Sequence, residues 1–229
     1  MTESDTAIVL IGDVVGSRRN VTEAADWLRS VARELDRRFA DDRLAAFAFT
    51  QGDELQGLLR LGADPFLAVL ATALRDEARS IRWAISVGPI GPGRGPATER
   101  SGPAFIAARE RLTAARAARD GLVVVTGQPW LDALFDDVAP LLSTLLSDLT
   151  RRQRTVASLI LVEGLRQADA AQRLAVSRAT ISVVAGRGRV REIGRLTRAL
   201  RRLLAEAVGG DAEPSTSVAA DVPSADVPA

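Results

Sequence analysis

Residues 6–18 read TAIVLIGDVVGSR, and this stretch decides the fold. Its start, Thr6–Gly12, is a short apolar run that predicts a fully buried β-strand. Outward from it, the pattern predicts a helix at 21–39, strands at 44–50 and 55–60, a helix beginning at Pro65, a strand at 81–87, a helix ending near 120 and a strand at 121–126. The order β-α-β-β-α-β, followed by α-β, predicts an α+β fold built on a ferredoxin-like sheet domain.

The remainder of the chain, from Leu141, has an all-helical pattern. Residues 167–182 read QADAAQRLAVSRATIS, which has the spacing of a helix-turn-helix. We expect Ala168 and Ala171 to face inward and Ile181 to anchor the second helix of the pair. The sequence therefore predicts an all-α helix-turn-helix domain behind the sheet domain.

Charge is distributed unevenly over the chain, although the net charge is only +1. Residues 1–140 hold 17 Arg against 20 acidic residues, whereas residues 141–208 hold 13 Arg against 5. From residue 209 the chain holds 4 acidic residues and no Arg. Such asymmetry indicates a nucleic-acid contact in the middle segment. We therefore predict domains at 1–138 and 139–208 and a disordered acidic tail at 209–229.

The helix-turn-helix pattern carries side chains suited to double-stranded DNA. Arginine can contact guanine edges with two hydrogen bonds, and Ser and Thr contact bases or phosphates. The arginines that follow the pattern are suited to backbone phosphates. The residues predicted to contact DNA are Ser177, Arg178, Thr180, Ser182, Arg187, Arg189 and Arg191. The pattern resembles the helix-turn-helix of sigma-factor region four and of LuxR- and MarR-type regulators. A bundle that contacts only protein is the alternative.

The residue types that are missing exclude several kinds of chemistry. The chain has no Cys and no His, so disulfides, thiolate metal sites and imidazole catalysis are excluded. No apolar run reaches the roughly 18 residues that a membrane span requires, and no signal peptide is evident. We expect a cytoplasmic protein that does not contact a membrane.

Acidic residues at two predicted strand ends form a candidate metal site. Asp13 follows the first strand, and Asp53 and Glu54 lie in the hairpin between the next two. In a ferredoxin-like sheet the first and third strands are neighbours, so these carboxylates approach one another. Mg²⁺ or Mn²⁺ prefers such oxygen ligands, and phosphates complete the shell. An ordinary turn is the alternative interpretation of these acidic residues.

At these residues the chain resembles the nucleotidyl cyclase superfamily. The segment 13–17 (DVVGS) is similar to the metal-binding motif of class III cyclases, and QGDEL at 51–55 is similar to the GGDEF hairpin. Arg109 aligns with an arginine that contacts the triphosphate, whereas Phe105 stands where cyclases place an Asn. The resemblance implies metal ligation by Asp13, Asp53 and Glu54, and nucleotide binding by Val14, Gly16, Ser17, Gln51, Gly52 and Arg109.

A further resemblance covers nearly the whole chain. The segments IVLIGDVVGSR (8–18), TQGDELQGLL (50–59) and GPAFIAARE (102–110), with the C-terminal helix-turn-helix, resemble the SatD family of bacterial proteins. That family is often described as regulatory, so the resemblance implies this architecture more than an activity.

Three functions follow as hypotheses. In the first, the chain is a DNA-binding transcriptional regulator whose cyclase-like domain binds a nucleotide, a divalent metal or both as its input. In the second, it is a Mg²⁺- or Mn²⁺-dependent nucleotidyl cyclase or nucleotidyltransferase. In the third, it is a non-catalytic oligomerisation protein. A leucine stripe in the last predicted helix, 193–207, indicates intrachain packing or a homodimer.

Overall fold

A computed structural model describes residues 5–15, 21–50, 54–76 and 79–209. The strands are β1 (Thr6–Val14), β2 (Arg43–Phe49), β3 (Glu54–Leu59), β4 (Ile81–Pro89) and β5 (Leu122–Val125). The helices are α1 (Val21–Arg38), α2 (Pro65–Ala73), α3 (Pro103–Ala118), α4 (Pro129–Ser147), α5 (Arg151–Leu161), α6 (Gln167–Arg173), α7 (Arg178–Arg187) and α8 (Val190–Val208). The α+β class is confirmed.

The five strands form one sheet in the order β2-β3-β1-β4-β5. Strand β1 lies at its centre and pairs antiparallel with β3 and β4, while β5 joins β4 in parallel. Eight of the nine residues of β1 are buried, as its apolar sequence requires. The strand continues to Val14, two residues past the predicted end. Asp13 therefore lies within the sheet and not beyond the strand.

The two faces of the sheet are covered by different helices. Alternate residues of β1, such as Ala7 and Val9, pack against α3 through Phe105 and Leu112. The intervening residues, such as Leu10, belong to a larger core that contains α1, α2 and the buried sides of α4–α8. The period-2 alternation of a strand thus places Asp13 on the face that α3 covers.

The C-terminal part is helical, as predicted, but it begins earlier. Helix α4 begins at Pro129, which occupies the first helical position, where a missing N–H is tolerated. The expectation that the helical part begins at Leu141 was wrong by 12 residues. Because α4 spans residue 138, the predicted domain boundary falls inside a helix, and the division into domains stays a prediction.

Two expectations about helix faces had different outcomes. Ala168 was predicted to face inward but is exposed, because α6 buries Ala170 and Ala171 instead. The leucine stripe of the last helix is buried within the chain, where Leu200 and Leu204 of α8 belong to the common core. Helix α8 also begins earlier than predicted, at Val190.

In the described part of the chain, no helix has the length and apolar character needed to cross a membrane. Five predicted nucleotide- or metal-binding residues lie outside the described residues: Gly16, Ser17, Gln51, Gly52 and Asp53. The predicted acidic tail also lies outside them, apart from Gly209.

Candidate functional site

The candidate site begins with Asp13 in the central strand. Asp13 lies opposite Glu54 of β3 and opposite Arg82 of β4 in the strand register. Directly opposed residues of an antiparallel pair share a face, with Cβ atoms about 5 Å apart. Asp13 and Glu54 therefore bring two carboxylates together on the α3 side of the sheet. We call this group, together with the side chains it contacts, the carboxylate edge.

The carboxylate of Asp13 is held by two arginines. Arg116 of α3 donates from Nη2 to Oδ1 at 2.7 Å and from Nε to Oδ2 at 3.0 Å. Arg82 donates from Nη1 to Oδ2 at 3.3 Å. Only 8% of the Asp13 side chain is exposed. Burial removes water from this carboxylate, and the two guanidinium groups compensate for the lost hydration, as a buried charge requires.

Glu54 has a looser environment on the same face. Its Oε1 accepts a 2.6 Å hydrogen bond from Nε2 of Gln56 and lies 3.7 Å from Nε of Arg109. The Arg109 side chain is half exposed, so this pair is weakly held. The Oε1 atom of Gln56 is buried and has no hydrogen-bond partner among the described residues. The carboxylate edge therefore combines two acids, three arginines and one unsatisfied amide oxygen.

The predicted metal ligands are only partly brought together by this arrangement. Asp13 and Glu54 are the predicted ligands that the structure describes, and they lie opposite each other in the strand register. Within the described ranges, no group of three or more acidic side chains could hold a metal ion. Asp53 lies outside those ranges, so the three-ligand site stays a prediction.

The predicted nucleotide-binding residues in the described ranges have different positions. The side chain of Val14 is buried in the core on the face away from α3, because it follows Asp13 in the alternation. Its side chain therefore does not reach the carboxylate edge, and nucleotide binding by Val14 stays a prediction for its backbone groups. Arg109, in contrast, lies beside Glu54.

Helix α7 presents the predicted DNA-contacting residues. Ser177 is its N-cap and accepts a 3.0 Å hydrogen bond from the backbone N of Thr180, while the two hydroxyl oxygens lie 2.9 Å apart. These hydroxyls are therefore engaged in capping, as Ser at an N-cap usually is. Arg178 and Ser182 are exposed on the same helix.

Three further arginines lie near the end of α7. Arg187, Arg189 and Arg191 are all exposed. Arg191 lies 3.4 Å from a carboxylate oxygen of Glu192. In the part of the chain that the structure describes, no ion pair or side-chain hydrogen bond occupies Arg178, Arg187 or Arg189.

Sequence reasoning missed several residues of these two surfaces. Arg82 and Arg116 were not considered, although Arg116 follows Arg109 by seven residues and therefore shares its helix face. Gln56 was missed because its register with the first strand follows only from the pairing. Val183, which is 52% exposed on α7, was missed because an apolar residue in a helix is usually assigned to the core.

Comparisons with known proteins give a family and two distant structural similarities. The model of the SatD family matches residues 7–177. No curated protein matches the chain. A bacterial light-regulated adenylyl cyclase structure is 14% identical with a TM-score of 0.41, covering 53% of this chain and 76% of its own. A regulator of polyketide synthase expression from Bifidobacterium adolescentis is 16% identical with a TM-score of 0.27, covering 89% of this chain and 82% of its own.

The family match covers most of the chain, including the strand, hairpin and α3 segments on which the resemblance rests. The chain therefore belongs to the SatD family.

Proposed function

We propose that this protein is a DNA-binding transcriptional regulator, with a ferredoxin-like, cyclase-like sheet domain and a helix-turn-helix formed by α6 and α7. The observation that carries the proposal is the exposed face of α7. On it lie arginines without an intramolecular partner among the described residues. Arginines that have no intramolecular partner are available to bind an external anion such as a DNA phosphate.

The shape of α7 supports its assignment as a recognition helix. Ser182 and Val183 are exposed along α7, and Arg178 and Arg187 are exposed at its first and last residues, about half a turn apart around the helix axis. The ten residues of α7 span about 15 Å. A helix of this size enters the major groove of B-DNA, which is about 12 Å wide. Ile181 and Ala185 are buried and fix the helix to the core.

The exposed side chains on and around α7 differ in what they can recognise. Arg178 has the geometry for two hydrogen bonds to a guanine edge, and the exposed Val183 is suited to the methyl group of thymine. Ser177 and Thr180 have their hydroxyls engaged in the cap, so we assign them to positioning rather than to base contact. Arg187, Arg189 and Arg191 are assigned to phosphates, where they contribute affinity without sequence preference.

Fluorescence anisotropy with labelled duplex DNA at several salt concentrations tests this proposal. A pool of random duplexes should bind at low salt, and the logarithm of the binding constant should fall linearly with the logarithm of salt concentration. Arg33, an exposed arginine of α1, provides a matched control, and Arg33→Gln should bind DNA as the unchanged protein does. Absence of binding at low salt would falsify the proposal.

The carboxylate edge is the second candidate, as an input site for a nucleotide with Mg²⁺ or Mn²⁺. The observation that favours it is the opposition of Asp13 and Glu54 with arginines around them. Carboxylates supply cation ligands and guanidinium groups bind phosphate. A cation would have to compete with Arg116 and Arg82 for Asp13, which favours a binding function over rapid turnover.

Calorimetric titration of ATP with MnCl₂ tests this second candidate. We expect saturable heat that depends on the metal and is lost in Asp13→Asn and Asp53→Asn. Mass spectrometry of the same mixtures checks for a cyclised or transferred product, which the alternative of an active enzyme requires. Metal-independent heat of equal size in all three proteins would exclude the metal site.

We further propose that the protein forms a homodimer, as a two-fold symmetric DNA site would favour. The support is an apolar stripe on α4, where Trp130, Leu134 and Leu141 are exposed at helical spacing. Sedimentation should show a dimer that Leu141→Glu dissociates. A monomer at all concentrations would contradict this part of the proposal without affecting DNA binding.

A further inference from the structure

A cavity of about 580 Å³ lies where the sheet meets helices α2, α4 and α5. Small-molecule sites typically have volumes of about 300–1,000 Å³. Its walls come from the ends of β1 and α3, the start of β4, and from α2, α4 and α5. None of the predicted metal, nucleotide or DNA residues that the structure describes lines it.

The cavity is lined by basic side chains. Among the described lining residues, Arg79, Arg82, Arg119 and Arg154 are basic and Asp120 is acidic. These arginines belong to different segments, so they approach the cavity from different directions. Several converging guanidinium groups raise the local concentration of anions and suit the tetrahedral oxygens of a phosphate.

Two of these arginines are best placed to bind a ligand. Arg154 lines the cavity and donates from Nη1 to the carbonyl oxygen of Leu149 at 3.2 Å, and it has no ion pair among the described residues. Arg119 is exposed and has a φ of 66°, in the left-handed region that non-glycine residues rarely adopt. This conformation ends α3, of which Arg119 is the C-cap, and leaves its side chain beside the cavity. Arg82, by contrast, is already bound to Asp13 and to the carbonyl oxygen of Asp120.

The wall formed by α4 adds three hydroxyl groups, each of which already donates its proton to a backbone carbonyl. Ser143 and Thr144 donate to the carbonyl oxygen of Pro140, at 2.8 and 3.1 Å, and Ser147 donates to the carbonyl oxygen of Thr144 at 2.8 Å. Because each hydroxyl has its one proton in use, its remaining capacity is to accept. This wall therefore favours a ligand that carries hydroxyl or amino groups besides its anionic part.

We propose that the cavity binds a small organic phosphate that bears hydroxyl or amino groups. Arg119 and Arg154 bind the phosphate, the α4 hydroxyls accept hydrogen bonds from the organic part, and Val69, Ala73 and Leu146 supply an apolar wall. The site joins the sheet to α5, which packs against α7. A bound ligand therefore alters the support of α7 and with it the affinity for DNA, a consequence that rests on the proposed function.

Calorimetric titration with ADP in the presence of EDTA tests the site. Chelation removes divalent cations, so the metal-dependent site at the carboxylate edge does not contribute. We expect saturable binding of ADP about tenfold tighter than binding of pyrophosphate, which lacks the organic part. Arg154→Gln and Arg119→Asn should each weaken ADP binding about tenfold, the usual effect of losing one charge-assisted hydrogen bond. Arg33→Gln, outside the cavity, should leave binding unchanged.

The choice of Asn at position 119 protects the test against misfolding, because Asn tolerates the left-handed conformation and carries no charge. No ADP binding up to millimolar concentration, an equal loss in Arg33→Gln, or equal affinity for ADP and pyrophosphate would each overturn the proposal. DNA anisotropy with and without ADP then tests the coupling. If ADP binds with the expected dependence on Arg119 and no DNA binds at all, the cavity site stands and the proposed function fails.

Discussion

The carboxylate edge and the exposed face of α7 use the same kind of side chain in opposite ways. Arg116 and Arg82 are committed to a buried carboxylate, whereas Arg178 and Arg187 have no intramolecular partner in the described part of the chain. Breaking a buried pair leaves a desolvated charge, while removing an exposed arginine leaves only water behind. Charge in the sheet should therefore affect folding, and charge on α7 should affect binding.

The largest expected effect comes from Asp13→Asn. The substitution leaves the guanidinium of Arg82, whose side chain is only 13% exposed, without its carboxylate partner. Loss of one partner of a buried pair typically costs 3–5 kcal/mol. Because the side chain of Arg116 is about half exposed, we expect the lower end, about 3 kcal/mol, in the free energy of unfolding measured with urea.

The exposed pair Asp26–Arg29 provides the control for that measurement. More than half of each of its side chains is exposed, so Asp26→Asn should change the free energy of unfolding by less than about 1 kcal/mol. If Asp13→Asn instead stabilised the protein, Asp13 would be a residue retained at a cost in stability, as functional residues often are. That result would reverse the comparison and strengthen the metal-site candidate.

A somewhat smaller loss is expected from Gly12→Ala. Gly12 lies opposite Trp83 in the sheet, and a Cβ at position 12 would lie 2.8 Å from Cζ3 of the Trp83 ring. Overpacking of this kind typically costs about 1–3 kcal/mol. The double variant Gly12→Ala, Trp83→Leu should recover part of the loss, as measured in a double-mutant cycle. Strict additivity of the two changes would contradict the packing explanation.

The sequence predicted the fold better than it predicted the site. The apolar runs of β1 and β4 and the Asp64-Pro65 helix start predicted their elements because each is a local signal. The environment of Asp13 was not predicted, because it depends on Arg116, 103 residues away, through a helix whose rotation on the sheet is set by packing. Ser177 and Thr180 were assigned to DNA although the Ser177 hydroxyl forms the cap and contacts that of Thr180, since capping and DNA contact favour the same residue types.

The DNA surface should respond to charge without a change in folding. Arg187→Gln removes an assigned phosphate contact, so the slope of log affinity against log salt should decrease by about 0.9. Arg178→Ala should cost about 1–3 kcal/mol in binding to a preferred site and less in binding to random DNA. Anisotropy gives both values, and urea unfolding should show each variant within about 0.5 kcal/mol of the unchanged protein. Loss of DNA binding only together with loss of folding would contradict the assignment.

The smallest expected effect comes from Gly186→Ala. The same Gly→Ala change should raise the free energy of unfolding in α7 and lower it at Gly12 in the sheet. Gly186 lies inside α7 on its exposed side, and a Cβ there would meet no heavy atom within 4 Å. Because Ala is the better helix former by about 1 kcal/mol, Gly186→Ala should stabilise the protein by up to that amount in urea unfolding. Gly12→Ala adds the same atom and should destabilise. If both variants changed the free energy of unfolding in the same direction, helix propensity would not determine the effect in α7. The contrast between close packing at Gly12 and open space at Gly186 would then be wrong.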